Sequence, residues 1–170
     1  VALITEDRKV TGLNLSGTVN DNIAMVAIKK LLTHGLYNKG KARRASEEYI
    51  EKLNIKTPSA DQIVGNLSGG NQQKIVIAKW LLNDPDIIIL DEPTRGIDVG
   101  AKIEVYHVMN DLVKAGKCVI MVSSELPEIL AMSDHVVVMR GGRVMANIDR
   151  DTPHFNSEDI MKAAWGGELD

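Results

Sequence analysis

The sequence is poor in the features that most restrict a fold. Its single cysteine, Cys118, leaves no internal disulfide, which fits a reducing compartment. Long apolar runs are missing: Ile87–Leu90 and Val136–Met139 are far shorter than the roughly 20 residues a bilayer span requires. Positive charge is not in excess. A net charge of -3 argues against a general nucleic-acid binder, which would be basic. The chain opens at Val1 with no charged-then-apolar leader, so no signal peptide is read, and it opens as if in the middle of something. Internal repeats and low-complexity tracts are absent too. What remains is 170 residues, 44% apolar and 25% charged, the balance of one folded domain with a core. That balance excludes a disordered tail and a collagen-like fibre.

Periodicity sketches the elements. Val1 to Ile4 reads as a strand end and Thr5 to Gly17 as a polar loop. Ile23, Val26, Ala27 and Leu31 recur at helical spacing, which predicts a helix from Asn20 or Asp21 to about Leu32. A second helix follows Gly40, with Ala42, Ala45, Tyr49 and Leu53 on one face and four-residue charge pairs such as Arg43–Glu47 on the other. Those interleaved glutamates make Lys41-Ala42-Arg43-Arg44 a solvated face rather than a nucleic-acid patch. Ser68 caps a helix carrying Ile75, Ala78, Leu81 and Leu82. Asp86 to Leu90 and Cys118 to Val122 read as strands buried on both sides of a parallel sheet, with Cys118 in the core. Between them, Ala101 to Ala115 reads as a helix with Ile103, Tyr106, Met109 and Val113 inward, ended by Gly116. A short helix near Pro127 to Ala131, a hairpin turned by Gly141-Gly142 and a final helix from Ser157 complete the chain. Strand–helix alternation from Asn66 to Ile148 marks an α/β layer.

Two segments carry candidate chemistry. Leu67-Ser68-Gly69-Gly70-Asn71-Gln72-Gln73-Lys74 puts a hydroxyl and bare backbone N–H groups at the positive end of a helix, a place that suits phosphate. An ordinary N-cap with a tight turn would give the same three residues. Ile87-Ile88-Ile89-Leu90 then delivers Asp91 and Glu92 to the carboxyl end of a buried strand, where α/β folds place ligand chemistry. An Asp there can hold Mg²⁺ through water, and the adjoining carboxylate can orient a water beside a phosphate. A strand that simply ends in a polar turn at Pro93 explains one carboxylate better than two. The four histidines, His34, His107, His135 and His154, lack metal-ligand spacing and read as structural.

Together, the Ser-Gly-Gly string, one helix, and the strand into Asp-Glu-Pro-Thr-Arg-Gly-Ile-Asp resemble the ATP-binding-cassette ATPases over nearly the whole chain. The resemblance implies a P-loop NTPase, RecA-like fold: an α/β parallel-sheet core, truncated at its N-terminus, with an inserted helical subdomain. It implies nucleotide contacts from Ser68, Gly69, Gly70 and Gln72, Mg²⁺ at Asp91 through water, catalysis by Glu92 and an interface role for the D-loop residue Asp98. The fuller strings, including Thr5-Glu6-Asp7-Arg8-Lys9 and Ser123-Ser124-Glu125-Leu126, are similar to the second cassette of bacterial ribose-, galactose- and xylose-type importers. Residues 1–18 then read as a remnant of core with the Q-loop region, 19–65 as helical subdomain, 66–150 as RecA-like core and 151–170 as a tail.

The resemblance also exposes departures. No G-x-x-x-x-G-K-[ST] is present. Gly12 to Gly17 is followed by Thr18 where lysine is needed, and Gly35 to Lys41 is followed by Ala42, without a hydroxyl for Mg²⁺. The start at Val1 therefore reads as a cut just after the Walker A region, and the fragment as inactive alone. Glu6 stands where cassettes place the Q-loop glutamine, adding repulsion near phosphates. Ser124 stands where they place the switch histidine and cannot carry charge. What the resemblance implies is an ATP- and Mg²⁺-dependent ATPase, peripheral at the cytoplasmic face of the inner membrane. Its partners would be a second cassette, permease subunits and, indirectly, a periplasmic sugar-binding protein, with no nucleic acid. A non-catalytic half that completes a partner's ATP site is the alternative, and a cassette from a soluble translation or DNA-repair protein is a third reading.

Overall fold

The structure, a computed structural model, describes residues 1–167. They form two compact units, one ending at Val122 and the other starting at Ser123.

The first unit is built on a parallel sheet of β1 (Ala2–Ile4), β4 (Ile87–Asp91) and β5 (Cys118–Val122), in the order β1-β4-β5. Register places Ala2, Ile88 and Val119 in one row and Ile4, Leu90 and Met121 in another, on the same face. Ala2, Ile4, Ile88 and Leu90 of that face are buried. The helix α3 (Gly69–Leu81) packs on β1, and α4 (Val99–Lys114) packs on β5 and on α3. The opposite face carries Leu3, Ile87, Ile120 and Val122, all exposed. The sequence predicts strands covered on both sides. The described residues cover one side only, and Cys118 is exposed rather than in the core.

Between β1 and α3 the chain makes a small helical region. Asp7 caps a π-helical turn, Arg8–Gly12, inside the stretch that reads as loop. The next helix, α1 (Val19–Ala24), is capped by Thr18 rather than Asn20 or Asp21. Thr18 Oγ1 accepts from the Asp21 N–H while the Asp21 carboxylate accepts from the Thr18 N–H, a reciprocal capping box. The expected continuation to Leu32 does not form. The carbonyl of Val26 accepts from Asn83 Nδ2 at 2.8 Å, and the Lys30 N–H turns to Ala27 at 2.9 Å. The chain instead takes a 3₁₀ turn at Ile28–Leu31 and a hairpin of β2 (Leu32–Thr33) and β3 (Leu36–Tyr37). His34 and Gly35, at φ 50° and 82°, supply the left-handed pair that a two-residue hairpin turn requires. The helix expected after Gly40 forms as α2 (Lys39–Lys52), starting earlier because Asn38 caps it, and Ala42 meets Ala24 and Leu31 in a small core. Tyr49 Oη donates to the Leu81 carbonyl at 2.8 Å, tying α2 to α3.

The helix α4 starts at Val99, two residues before the expected Ala101, because Asp98 caps it. Its inward residues are Val105 and Met109. Ile103 and Val113, expected inward, are half exposed. Apolar residues surround this helix, so spacing alone does not select the face that meets the sheet.

The second unit contains α5 (Leu126–Met132), the antiparallel hairpin β6 (His135–Arg140) and β7 (Arg143–Asp149), and α6 (Ser157–Ala164). Gly141 and Gly142, at φ 56° and 77°, turn the hairpin as expected. Val136, Val138 and Ile148 share one core with Ile160 and Ala163 of α6, against which Leu126 and Phe155 pack. Residues 151–167 lie in the same compact unit as the hairpin, and α6 closes its core.

Candidate functional site

The candidate residues of the first unit gather where β4, α3 and α4 begin or end. Asp91 is the last residue of β4, and the strand carries its carboxylate to the sheet's carboxyl end. Glu92 follows with φ 47°, a left-handed backbone that costs a non-glycine residue about 1–2 kcal/mol. Two bonds hold it there. The Glu92 N–H donates to the Val122 carbonyl at 2.9 Å, and the Glu92 carbonyl accepts from the Arg95 N–H at 3.1 Å. Pro93 and Thr94 behind it are buried. Strain of this kind, held in place by the surrounding bonds, concentrates at functional sites. The turn continues through Gly96, φ 67°, to Asp98, whose Oδ1 accepts from the Ala101 N–H at 3.0 Å.

The start of α3 differs from a simple cap. Ser68 has the extended backbone of a cap residue, yet its side chain bonds none of the first-turn amides. Its Oγ instead accepts from Asn71 Nδ2 at 2.9 Å, and Asn71 Oδ1 accepts from the Lys56 N–H at 2.8 Å. Packing requires the second glycine and leaves little room at the first. A Cβ on Gly70 would collide with the Ala101 Cβ, so α3 and α4 touch backbone to side chain at their starts. A Cβ on Gly69 would lie 2.8 Å from Arg8 Nη2 and 3.3 Å from the Gly96 carbonyl oxygen.

Gln72 turns away from this surface. It is buried, and its Nε2 donates to the carbonyls of Val64 at 3.2 Å and Leu67 at 3.1 Å. That amide braces the turn before α3. Glu6 is not a lone acid: its carboxylate pairs with Arg95, so its charge is matched within the chain. Ser124 is exposed and lies in the second unit, where the adjacent Ser123 Oγ donates to Glu128 Oε2 at 2.5 Å.

Two residues of the site region stand inside the quoted strings, yet the sequence gives neither a role of its own. Arg8 donates from Nη1 to the Arg95 carbonyl at 2.9 Å and from Nη2 to the Gly96 carbonyl at 3.1 Å. Lys74, 1% exposed, donates to the Asn54 carbonyl and, at 2.9 Å, to Glu104 Oε2. Lys74 holds the Glu104 carboxyl below its ordinary range, chiefly through that hydrogen bond. A lysine in the string after Ser-Gly-Gly gives no sign that it is buried, and backbone carbonyl acceptors carry no residue-type signature at all.

Among the described residues no three His, Cys, Asp or Glu converge to hold a metal. Likewise none of their helices is long and apolar enough to cross a membrane.

The family model described as ABC transporter matches residues 2–95, more than half the chain. The chain belongs to the ABC transporter family. This ABC transporter chain is 50% identical over 168 residues to the xylose import ATP-binding protein XylG of Thermoanaerobacter pseudethanolicus, covering 99% of the chain and 33% of that protein. Over 167 residues it is also 50% identical to the ribose import ATP-binding protein RbsA of Geobacillus kaustophilus, covering 98% and 33%. The chain thus spans about a third of the length of the curated relatives it matches. A dimeric ATP-binding cassette, solved in a post-hydrolysis state bound to ADP and Pi, superposes with a TM-score of 0.73. It is 21% identical and the match covers 89% of this chain and 63% of that one, a likeness of fold. The α/β fold read from strand–helix alternation is therefore that of the ABC transporter cassettes.

Proposed function

We propose that this chain forms part of the ATP-hydrolysing subunit of a bacterial monosaccharide importer. The observation that carries the reading is Asp91 followed by Glu92, the second held in a left-handed turn at the carboxyl end of β4. The import proteins that the chain resembles by about half their matched residues supply the substrate class.

The donor set suits Mg²⁺ better than a cation that wants a full protein cage. Two adjacent carboxylates, with no third His, Cys, Asp or Glu converging on them among the described residues, fit an ion that keeps several waters and takes its remaining oxygens from phosphates. Bound there, Mg²⁺ would neutralise charge on the β- and γ-phosphates of ATP. Asp91 would hold the ion through water. Glu92 would orient and polarise the attacking water, its carboxylate aimed by the turn that fixes its backbone. Ser68, Gly69 and Gly70 would present hydroxyl and amide groups to the γ-phosphate of a nucleotide held by a partner cassette, at the positive end of α3. Asp98, at the start of α4, would lie at the interface between cassettes. Gln72, engaged with Val64 and Leu67, is a brace in this scheme. The partners would be a second cassette and permease subunits at the inner face of the membrane, served by a sugar-binding protein.

A second reading has an observation of its own. Glu6 and Ser124 stand at the two positions where cassettes keep a glutamine and a histidine. A half that completes a partner's site without hydrolysing at its own would tolerate both. One experiment separates the readings. In the full-length gene product, reconstituted with its permease subunits, Glu92→Gln is expected to lower sugar-stimulated ATP turnover by roughly a hundredfold or more. Turnover at the wild-type rate in Glu92→Gln selects the non-catalytic half.

A further inference from the structure

We propose that Arg8 is a positioning residue that locks the start of α3 to the turn joining Glu92 to Asp98. The proposal rests on the hydrolytic reading of the site for its kinetic consequence, and on geometry alone for the lock itself.

Three pieces of chain, far apart in sequence, meet at this one guanidinium. Nη1 and Nη2 donate to the successive carbonyls of Arg95 and Gly96, at 2.9 and 3.1 Å. The edge carrying Nη2 lies against Gly69, the first residue of α3, close enough that a methyl there would sit 2.8 Å from it. With glycine at 69 the guanidinium keeps this position; a side chain there would push its Nη2 aside. The carbonyls that Arg8 grips belong to a turn whose beginning is fastened to Glu92 through the Arg95 N–H and whose end is Asp98, the cap of α4. A shift of that turn moves both carboxylates.

The arginine is itself held. Asp7 Oδ1 accepts from the Lys9 and Val10 N–H groups at 3.0 and 3.1 Å, and the Asp7 carbonyl accepts from Thr11 N–H at 3.0 Å, winding the π-helical turn that presents Arg8. Glu6 pairs with the Arg95 side chain, so the loop grips the same turn by a second contact. Meanwhile Arg8 Nε is buried with no hydrogen-bond partner. That unpaired N–H is a cost, set against the two carbonyl bonds that the fork makes. Its planar fork matches two adjacent carbonyls, which the single ammonium of lysine cannot do with the same geometry.

Two readouts on the full-length protein with its partner subunits test the lock. Arg8→Gln is expected to lower kcat for ATP roughly tenfold while KM for ATP stays within about twofold, since the turn places reacting groups rather than holding the bulk of the nucleotide. Arg8→Lys, a milder change that keeps the charge, is expected to leave kcat low. Independently of any hydrolysis, backbone amide hydrogen exchange at residues 95–98 is expected to quicken in both variants while β4 and β5 keep their wild-type rates. Exchange at 95–98 that stays at the wild-type rate in Arg8→Gln overturns the lock whatever the kinetics do. So does exchange that quickens throughout the first unit, which would make Arg8 a general stabiliser, or full recovery of both readouts by Arg8→Lys. Quickened exchange confined to 95–98, in a protein whose turnover does not depend on Glu92, leaves the lock standing and removes the hydrolytic reading instead.

Discussion

Lys74 shows how much a single side chain can bind together in this chain. An ammonium that is 1% exposed is tolerated because the Asn54 carbonyl and the Glu104 carboxylate accept its hydrogen bonds. Those two partners belong to the segment after α2 and to α4, so one side chain of α3 joins the helical region, α3 and α4. Lys74→Met is expected to lower the unfolding free energy by about 1–3 kcal/mol, toward the lower end because Glu104 is over a third exposed and keeps Lys56 at 3.7 Å. The pH dependence has a definite sign. Glu104 has a folded pKa below its unfolded value, so its contribution is present above the unfolded carboxylate range and is lost as pH falls through the folded pKa. Urea titrations of wild type and Lys74→Met should therefore differ most near neutrality and converge in acid.

At the scale of elements, the hairpin of the second unit offers a titration of the opposite sense. His135 on β6 faces Asp149 on β7 across the ladder, Nδ1 to Oδ1 at 2.6 Å, with Asn147 Oδ1 at 3.2 Å from Nε2. The Asp149 bond raises the His135 pKa above its ordinary 6.5. Its contribution is complete below that ordinary value and fades as pH rises through the higher folded midpoint. Proton NMR titration should place the His135 midpoint above 6.5, and Asp149→Asn should bring it down.

The elements also show which structure can be read from sequence. The strand β4 and the helices α2 and α3 follow from local pattern, because their hydrophobic spacing and their ends agree with the packing that forms. The end of α1 at Ala24 does not, since just beyond it the Val26 carbonyl accepts from Asn83, 57 residues further along the chain. The inward face of α4 and the one-sided burial of β5 depend on what lies over the sheet, which no local period encodes. Within the site, Ser68 to Gly70 and Asp91-Glu92 are legible because phosphate and metal chemistry restrict residue type. Arg8 and Lys74 act largely on backbone carbonyls, which every residue has, so their placement emerges only in three dimensions.

For the whole molecule, the absence of a phosphate-loop sequence in these 170 residues has a direct consequence. Taken alone, they are expected to release no phosphate from ATP above the background of a Glu92→Gln control, because the groups that cradle the β- and γ-phosphates are not among them. Phosphate release that is lost in the control would mean that another segment of the chain supplies the cradle.

The uncovered face of the first unit's sheet, where Leu3, Ile120 and Val122 are exposed, gives the chain's sole thiol an experimental use. Cys118 belongs to the edge strand β5 and is open to solvent, so a maleimide dye will find one address and no competitor in this sequence. An environment-sensitive fluorophore there would shift its emission to the blue when an apolar surface settles on the sheet. The residue read from sequence as buried filler thus becomes an optical gauge of how far this face stays open to water.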